Sequence, residues 1–322
     1  MDFQIIIENL SNPALLFFIL GILATQVKSD LKIPENSSKF ISIYLLLSIG
    51  FKGGQELSHS GLHLDTILAM LLGLTLATVI PVISFFIAKQ KMSIANAGAI
   101  AATYGSISAV TFLTANSFLE MQGEHFNGYM IAVMALMEAP AIIVGVMLIK
   151  YYSKDATSNG TNIPAILRHS ITNGSVFLIL GSMVIGYIAS AEHAEGIKPF
   201  TTDIFKGFLA VFLLDMGLSS GKQLSAITKK GIFPFAFAII MPFFGGILAL
   251  LLSLVITDVC GNQLLFAILG ASASYIAVPA ALKQSVPEAN PSIYLPMALG
   301  ITFPVNVIIG IPLYYYLIQL WH

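Results

Sequence analysis

The sequence predicts an all-α, polytopic membrane protein of ten transmembrane helices in two inverted five-helix repeats, with helices four and nine broken and crossing near the midplane. Three observations carry this. Hydrophobic residues make up 57% of the chain and charged residues only 10%, with a mean hydropathy of +0.87. A water-facing domain needs about 25% charged residues to coat itself. Apolar runs of about 20 residues, enough to span a bilayer as a helix, recur along the whole length, without the ~10-residue alternating segments of a β-barrel. Two of these runs are interrupted at matching places by small polar residues.

The ten expected spans are Pro13–Val27, Lys39–Gln55, Asp65–Lys89, Ser93–Glu120, Phe126–Tyr152, Asn173–Ala191, Thr201–Gly217, Ile232–Thr257, Asn262–Gln284 and Ser292–Leu320. Span four is interrupted by Tyr104-Gly105-Ser106-Ile107-Ser108. Span nine is interrupted by Ser272-Ala273-Ser274-Tyr275, with Pro279 beyond. Lipid cannot satisfy the N–H and C=O groups that a break opens, so a break survives where it lines a cavity or binds something. Paired breaks in two halves point to a transporter's substrate site.

Orientation follows the cations. Counting faces alternately, Lys28, Lys32, Lys39, Lys89, Lys91, Lys150, Lys154, Arg168, Lys222, Lys229, Lys230 and Lys283 share one side, and Lys52, Lys198 and Lys206 the other. This predicts both termini outside. The acidic start Met1-Asp2-Phe3…Glu8 lacks the basic leader of a cleavable signal peptide, so the first helix is expected to stay in place.

Repeat halves are expected at 1–152 and 170–322, joined by a polar cytoplasmic linker at 153–169 that contains Asn159-Gly160 and Pro164. Leu20-Gly21 corresponds to Leu180-Gly181. Gly50 and Gly54 match Gly217 and Gly221 at an offset of 167, Ser106-x-x-Ala109-Val110 matches Ser274-x-x-Ala277-Val278 at 168, and Pro140 matches Pro304 at 164. Five spans is an odd number, so the second copy is inverted, the architecture of many secondary transporters. The glycine pairs read as close helix contact.

Each break exposes a half-helix N-terminus with unpaired N–H groups and about half a positive charge. With hydroxyls from Ser106, Ser108, Thr111, Ser272 and Ser274, and with Tyr104, Gly105, Ala273 and Tyr275 completing the two breaks, this makes a site for a small oxyanion. The alternative role for such hydroxyls is back-bonding or helix glue. Glu138, beside Pro140, is an intramembrane carboxylate, expensive at depth. It suits Na⁺ coordination through oxygen, a packing hydrogen bond or a proton relay. Asn116, Thr302 and Asn306 are neutral oxygen donors for the same cation. Asp215 is a further candidate, within reach of Lys222 or the interface. Lys52 and Glu56 read as snorkelling residues. Gly217-Leu218-Ser219-Ser220-Gly221-Lys222-Gln223 is one residue short of a phosphate loop and lacks its Ser/Thr.

The single cysteine, Cys260, excludes a disulfide framework and reads as apolar filler. The histidines show no ligand spacing and read as loop residues. Net charge of −1 argues against nucleic acid as a partner. No nucleophile–base pair stands in the spans, so no enzyme, and no cofactor beyond a coupling ion, is expected.

The chain resembles the sodium-dependent bicarbonate transporters of the SbtA type over nearly its whole length. The resemblance rests on Leu31-Lys32-Ile33-Pro34-Glu35, Ile49-Gly50 with Gly53-Gly54, Gly105-x-x-Ser108-x-x-Thr111 and Glu138-Ala139-Pro140-Ala141, where the family has Asp. It rests further on Ala271-Ser272-x-Ser274 with Pro279, Ala289-Asn290-Pro291-Ser292 and Gly300-Ile301-Thr302-Phe303-Pro304. It implies a core domain of spans three to five and eight to ten, a gate or scaffold domain of spans one, two, six and seven, and a homotrimer. It also implies bicarbonate held where spans four and nine cross, Na⁺ coupling, a bacterial inner membrane location and a PII-like cytoplasmic regulator. Where the family has Asp after the last serine of span nine, this chain has Tyr275, and its linker is short. The expected function is Na⁺-driven import of bicarbonate or a similar anion. A non-concentrative anion channel or a membrane-embedded anion sensor is the alternative.

Overall fold

The computed structural model describes residues 11–60, 63–153, 174–227, 231–276, 278–279, 281–282 and 286–321. The acidic N-terminal residues, nearly all of the expected linker, Ala277 and the lysines at 229, 230 and 283 lie outside them.

Among the described residues the chain is helical throughout, without strands. Its helices are α1 (Pro13–Gln26), α2 (Glu35–Ser60), α3 (Leu64–Ala88), α4 (Ile94–Gly105), α5 (Ala109–Gln122), α6 (Tyr129–Tyr152), α7 (Gly174–Ile188), α8 (Ala191–Lys198), α9 (Phe205–Ile227), α10 (Ile232–Ser253), α11 (Cys260–Ala271) and α12 (Pro291–Gln319). Among the described residues, six segments are long and apolar enough to cross a membrane: α3, the α4–α5 pair, α6, the α8–α9 run, α10 and α12. α1, α7 and α11 are shorter apolar helices.

Local chemistry sets the ends. Asn12 accepts from the Ala14 N–H at 2.9 Å and Pro13 opens α1. Ser93 caps α4, and Asn290 caps α12 ahead of Pro291. Each cap satisfies a donor that the first turn leaves unpaired. Gly123 ends α5 in the left-handed region at φ 70°, where glycine carries no steric cost.

Several boundaries differ from the expected spans. α2 starts at Glu35, four residues early. The six–seven connection is itself helical, because α8 runs through a π turn at Pro199–Asp203 into α9. His193, expected in a loop, therefore sits on α8, where Ser190 caps the helix and meets its Nδ1 at 2.9 Å. α12 contains two π turns, Pro296–Thr302 and Asn306–Gly310. Nothing in hydropathy signals them, and π turns concentrate at functional positions.

α1 packs along α9, and α2 along α7. A Cβ on Gly217 would run into the Phe18 carbonyl, and one on Gly21 would lie 2.9 Å from the Gly217 carbonyl carbon. Gly50 lies against the Ile179 backbone and Gly54 against Met183, while Gly186 abuts Phe51. Gly50, Gly54 and Gly217 are thus close helix contacts, where backbones touch because no side chain separates them, and Gly221 packs against the Thr25 side chain of α1. A second group forms from α3, α4 and α6 together with α10, α11 and α12. Asp215 accepts from the Ser38 hydroxyl, tying α9 to α2. Lys52, expected to snorkel, instead bridges to Glu120 at 3.7 Å, and Lys206 reaches the same carboxylate at 3.5 Å.

Candidate functional site

The two breaks have the same construction. α4 and α11 are each 12 residues long. Their starts (94 and 260) and their ends (105 and 271) are both 166 positions apart. At that spacing Ser106 lines up with Ser272 and Ser108 with Ser274, two positions from the offset of 168 given by the Ser-x-x-Ala-Val match. Ser106 and Ser272 both leave their helices in extended conformation, at ψ 159° and 160°.

The breaks touch. The Ser274 N–H donates to the Thr103 carbonyl at 2.8 Å, so an otherwise unpaired group of each chain segment satisfies the other. Ser108 caps α5, its hydroxyl accepting from the Thr111 N–H at 3.2 Å. The Ser272 hydroxyl donates back to the Ile268 carbonyl at 2.7 Å, so at rest this serine is spent within its own helix. Behind the crossing, Tyr104 and Thr302 share a hydrogen bond at 2.9 Å, and the Thr302 hydroxyl donates to the Ala238 carbonyl at 2.7 Å. Asn306 donates to the Ala271 carbonyl at 2.7 Å, where α11 ends. Three buried oxygens around the breaks, Thr103 Oγ1, Ser106 Oγ and Asn306 Oδ1, have no hydrogen-bond partner among the described residues. Such groups cost free energy when left dry, so each calls for a water or another partner. Thr103, which the sequence offered no reason to choose, enters through its carbonyl and this hydroxyl.

A chamber of about 30 Å³ opens at the crossing, lined by Ser108, Ala109, Val110, Glu138, Ser274 and Tyr275 among others. One water needs roughly 10–15 Å³, so the chamber takes a guest of a few atoms. The first turn of α5 forms one wall and brings its free N–H groups and positive dipole end. Glu138, on α6 and 6% exposed, stands in the same chamber. Tyr275 points its hydroxyl at Met216 Sδ of α9, 3.6 Å away, and stacks edge-on to Phe303 at 6.0 Å.

Of the residues expected to bind, Ser108, Ser274, Tyr275 and Glu138 line this chamber. Tyr104, Gly105, Ser106, Thr111, Ser272 and Ala273 build the breaks without lining it, and Gly105 is pressed against the Pro81 ring. Thr302 and Asn306 lie behind it on α12. Asn116 faces a separate cavity of about 550 Å³ that also contains Lys52, Glu56, Glu120, Glu124 and Lys198. Its buried Oδ1 has no hydrogen-bond partner among the described residues. The four oxygen donors named for Na⁺ are therefore spread over three places rather than gathered around the chamber.

A search among curated proteins found no match. A sequence profile of the Na⁺-dependent bicarbonate transporter superfamily matches residues 13–319. With that match spanning nearly all of a helical chain whose two breaks meet around a small chamber holding serines and Glu138, the protein belongs to the Na⁺-dependent bicarbonate transporter superfamily and is a multi-pass membrane protein.

Proposed function

We propose that this chain is a secondary active symporter that imports bicarbonate or a similar small oxyanion together with Na⁺. The observation that supports it most is the company kept in the small chamber. A helix N-terminus and two serines favour an anion there, yet Glu138 lines the same space. Two like charges about 4 Å apart repel by roughly 4 kcal/mol at an effective dielectric of 20. A cation bound alongside the anion removes that penalty. It also cancels the cost of moving a negative charge inward, about 2.3 kcal/mol against 100 mV. Glu138 is the carboxylate we assign to Na⁺, with Asn306, Thr302 and Asn116 as further oxygen donors on its path.

In this reading the chain comprises ten spans in two inverted repeats, 1–152 and 170–322. The group of α3–α6 and α10–α12 forms the moving core, and α1, α2 and α7–α9 form the scaffold. The pairing of α1 with α9 and of α2 with α7 supports this, since exchanging the repeats turns one pair into the other. The family resemblance supports a homotrimer in a bacterial inner membrane with both termini outside, and a PII-like cytoplasmic regulator.

Uptake of labelled bicarbonate into a transport-deficient host, with and without Na⁺, tests the proposal. Accumulation above the external concentration that depends on Na⁺ is expected. Equilibrative or sodium-independent entry would overturn the symport assignment.

Two residue-level results are expected. Ser108→Ala and Ser274→Ala each remove one hydroxyl worth about 0.5–1.5 kcal/mol, so the half-saturating bicarbonate concentration should rise roughly threefold to tenfold. Uptake titrations check this, and unchanged values in both variants would place the anion elsewhere. Tyr275→Asp puts a carboxylate into the chamber where a phenol, with a usual pKa near 10, brings no charge. Uptake should then depend more steeply on Na⁺. An unchanged Na⁺ response would leave Tyr275 as a simple contact to Met216.

A further inference from the structure

The cavity that Asn116 faces lies on the seam between the two helix groups. One wall comes from α2 and α8, with Lys52, Gln55 and Lys198, and the other from α5 and α6, with Asn116, Glu120 and Ile131. Among the described residues it shares no lining residue with the anion chamber, so protein separates the two. From Val110 in the chamber wall to Glu120 in the last turn of α5, the helix rises about 15 Å at 1.5 Å per residue. That is half of a ~30 Å hydrocarbon core, so Glu120 stands at the mouth of the bundle.

At that mouth two ion bridges cross the seam. Glu120 of α5 meets Lys52 of α2 at 3.7 Å and Lys206 of α9 at 3.5 Å. Both lysines come from the opposite helix group, and Lys52 also lies over the ring of Phe205, 5.3 Å from its centre. Two other charges of the cavity are engaged within their own group. Glu124 accepts from Tyr315 and Gln319 of α12, and Lys198 pairs with Glu195 on α8 at 2.9 Å. The backbone contact at this end is smooth, since a Cβ on Gly128, just ahead of α6, would lie 2.5 Å from the Gly53 carbonyl oxygen of α2.

We propose that Glu120 is a latch: bound to Lys52 and Lys206, it holds the core group against the scaffold and keeps the cavity shut off from the chamber. Both bridges must part before this end opens. Ion pairs suit a contact that is broken repeatedly. The Glu120 side chain is 34% exposed, that of Lys52 28% and that of Lys206 62%, so water takes over each charge on separation, and such pairs are individually weak. A seal of buried apolar side chains would instead lose the burial that holds it. Parting leaves two lysines on the scaffold and Glu120 near Glu124 on the core, like charges on each side, which favours closing again. The latch rests on the proposed division into core and scaffold, and not on which ions are carried.

Cys260→Ala removes the one thiol of the chain, and Ile131→Cys then places a single reporter in the cavity wall at a position 1% exposed. In the purified full chain in detergent, a charged methanethiosulfonate reagent reaches both ends, and labelling of a buried thiol follows the fraction of time that its wall is open. Glu120→Gln should speed labelling roughly threefold to tenfold, the range that two weak bridges allow. Glu120→Lys combined with Lys52→Glu and Lys206→Glu reverses all three charges and should restore the parent rate. Potassium chloride at about 1 M, where the screening length falls to about 3 Å, should speed labelling of the parent and leave Glu120→Gln unchanged. Ala267→Cys, buried inside α11, should label equally slowly with and without Glu120→Gln. Equal rates for Ile131→Cys in the parent and in Glu120→Gln overturn the latch. So does fast labelling that persists in the charge-reversed variant, or that spreads to Ala267→Cys, since either means general loosening. Lys206→Gln, at a mostly exposed position, gives the same readout should Glu120→Gln fold poorly. Labelling is read without transport, so the result is separate from the Na⁺-dependent uptake test.

Discussion

Glu138→Gln should fold, reach the membrane and still take up anion, but require roughly ten- to a hundredfold more Na⁺ for half-maximal uptake. The amide keeps the shape and one oxygen donor and loses the charge. Interactions with a charged group contribute about 1.5–3 kcal/mol, and each 1.4 kcal/mol is a factor of ten. The half-saturating bicarbonate concentration at saturating Na⁺ should change less, since in the proposed symport the carboxylate is assigned to the cation and not to the anion. Na⁺ and bicarbonate titrations of uptake in vesicles separate the two. A proton relay at the same position would behave differently: the variant would lose its pH response with Na⁺ dependence intact, and the sodium assignment would fail.

Gly217→Leu should prevent α1 and α9 from packing and should lower the thermal unfolding midpoint sharply or abolish the folded protein in detergent. Even the first added carbon runs into the Phe18 carbonyl, and the Gly21 Cα lies 3.0 Å away. These neighbours are backbone, which cannot rotate aside as a flexible side chain does. Overpacking a tight contact costs about 1–3 kcal/mol when side chains can adjust, and here the helices must separate. Gly207→Ala is the matching control on the same helix, because nothing lies within 4 Å of its added carbon. There the gain in helix propensity, up to about 1 kcal/mol, should leave the midpoint unchanged or raised. Equal midpoints for Gly217→Leu and the control would mean that the α1–α9 contact does not hold the fold together.

Much of the fold was legible in the residues because membrane embedding reduces folding to few choices. Low charge and repeated apolar runs dictate helices, since only helices and closed barrels satisfy a backbone in lipid. Gly50, Gly54, Gly217 and Gly221 could be read as helix contacts because only a residue without a side chain permits that approach. The two polar breaks were legible for the same reason: Ser106–Ser108 and Ser272–Ser274 interrupt runs that otherwise have no cause to stop. Ser108, Ser274, Tyr275 and Glu138 were all identified from their depth and position. The pairing register was less legible. Serines recur in both breaks, and the equal lengths of α4 and α11 line up Ser108 with Ser274, where the string match had lined up Ser106.

By itself, then, the sequence determined an all-helical membrane chain, its two interrupted helices and its close-packed glycines. These follow from burial cost and periodicity, which act within a single segment. Only the tertiary structure decided that the Ser274 N–H closes on the Thr103 carbonyl and that Glu138 shares a chamber with the serines while Asn116 faces another cavity. The π turns of α12 and the bridging of Glu120 to both Lys52 and Lys206 were likewise decided there. Each depends on how far one helix is rotated and shifted against another. A rotation of one residue on a helix turns a side chain by about 100°, and in lipid both faces of such a helix read as equally apolar.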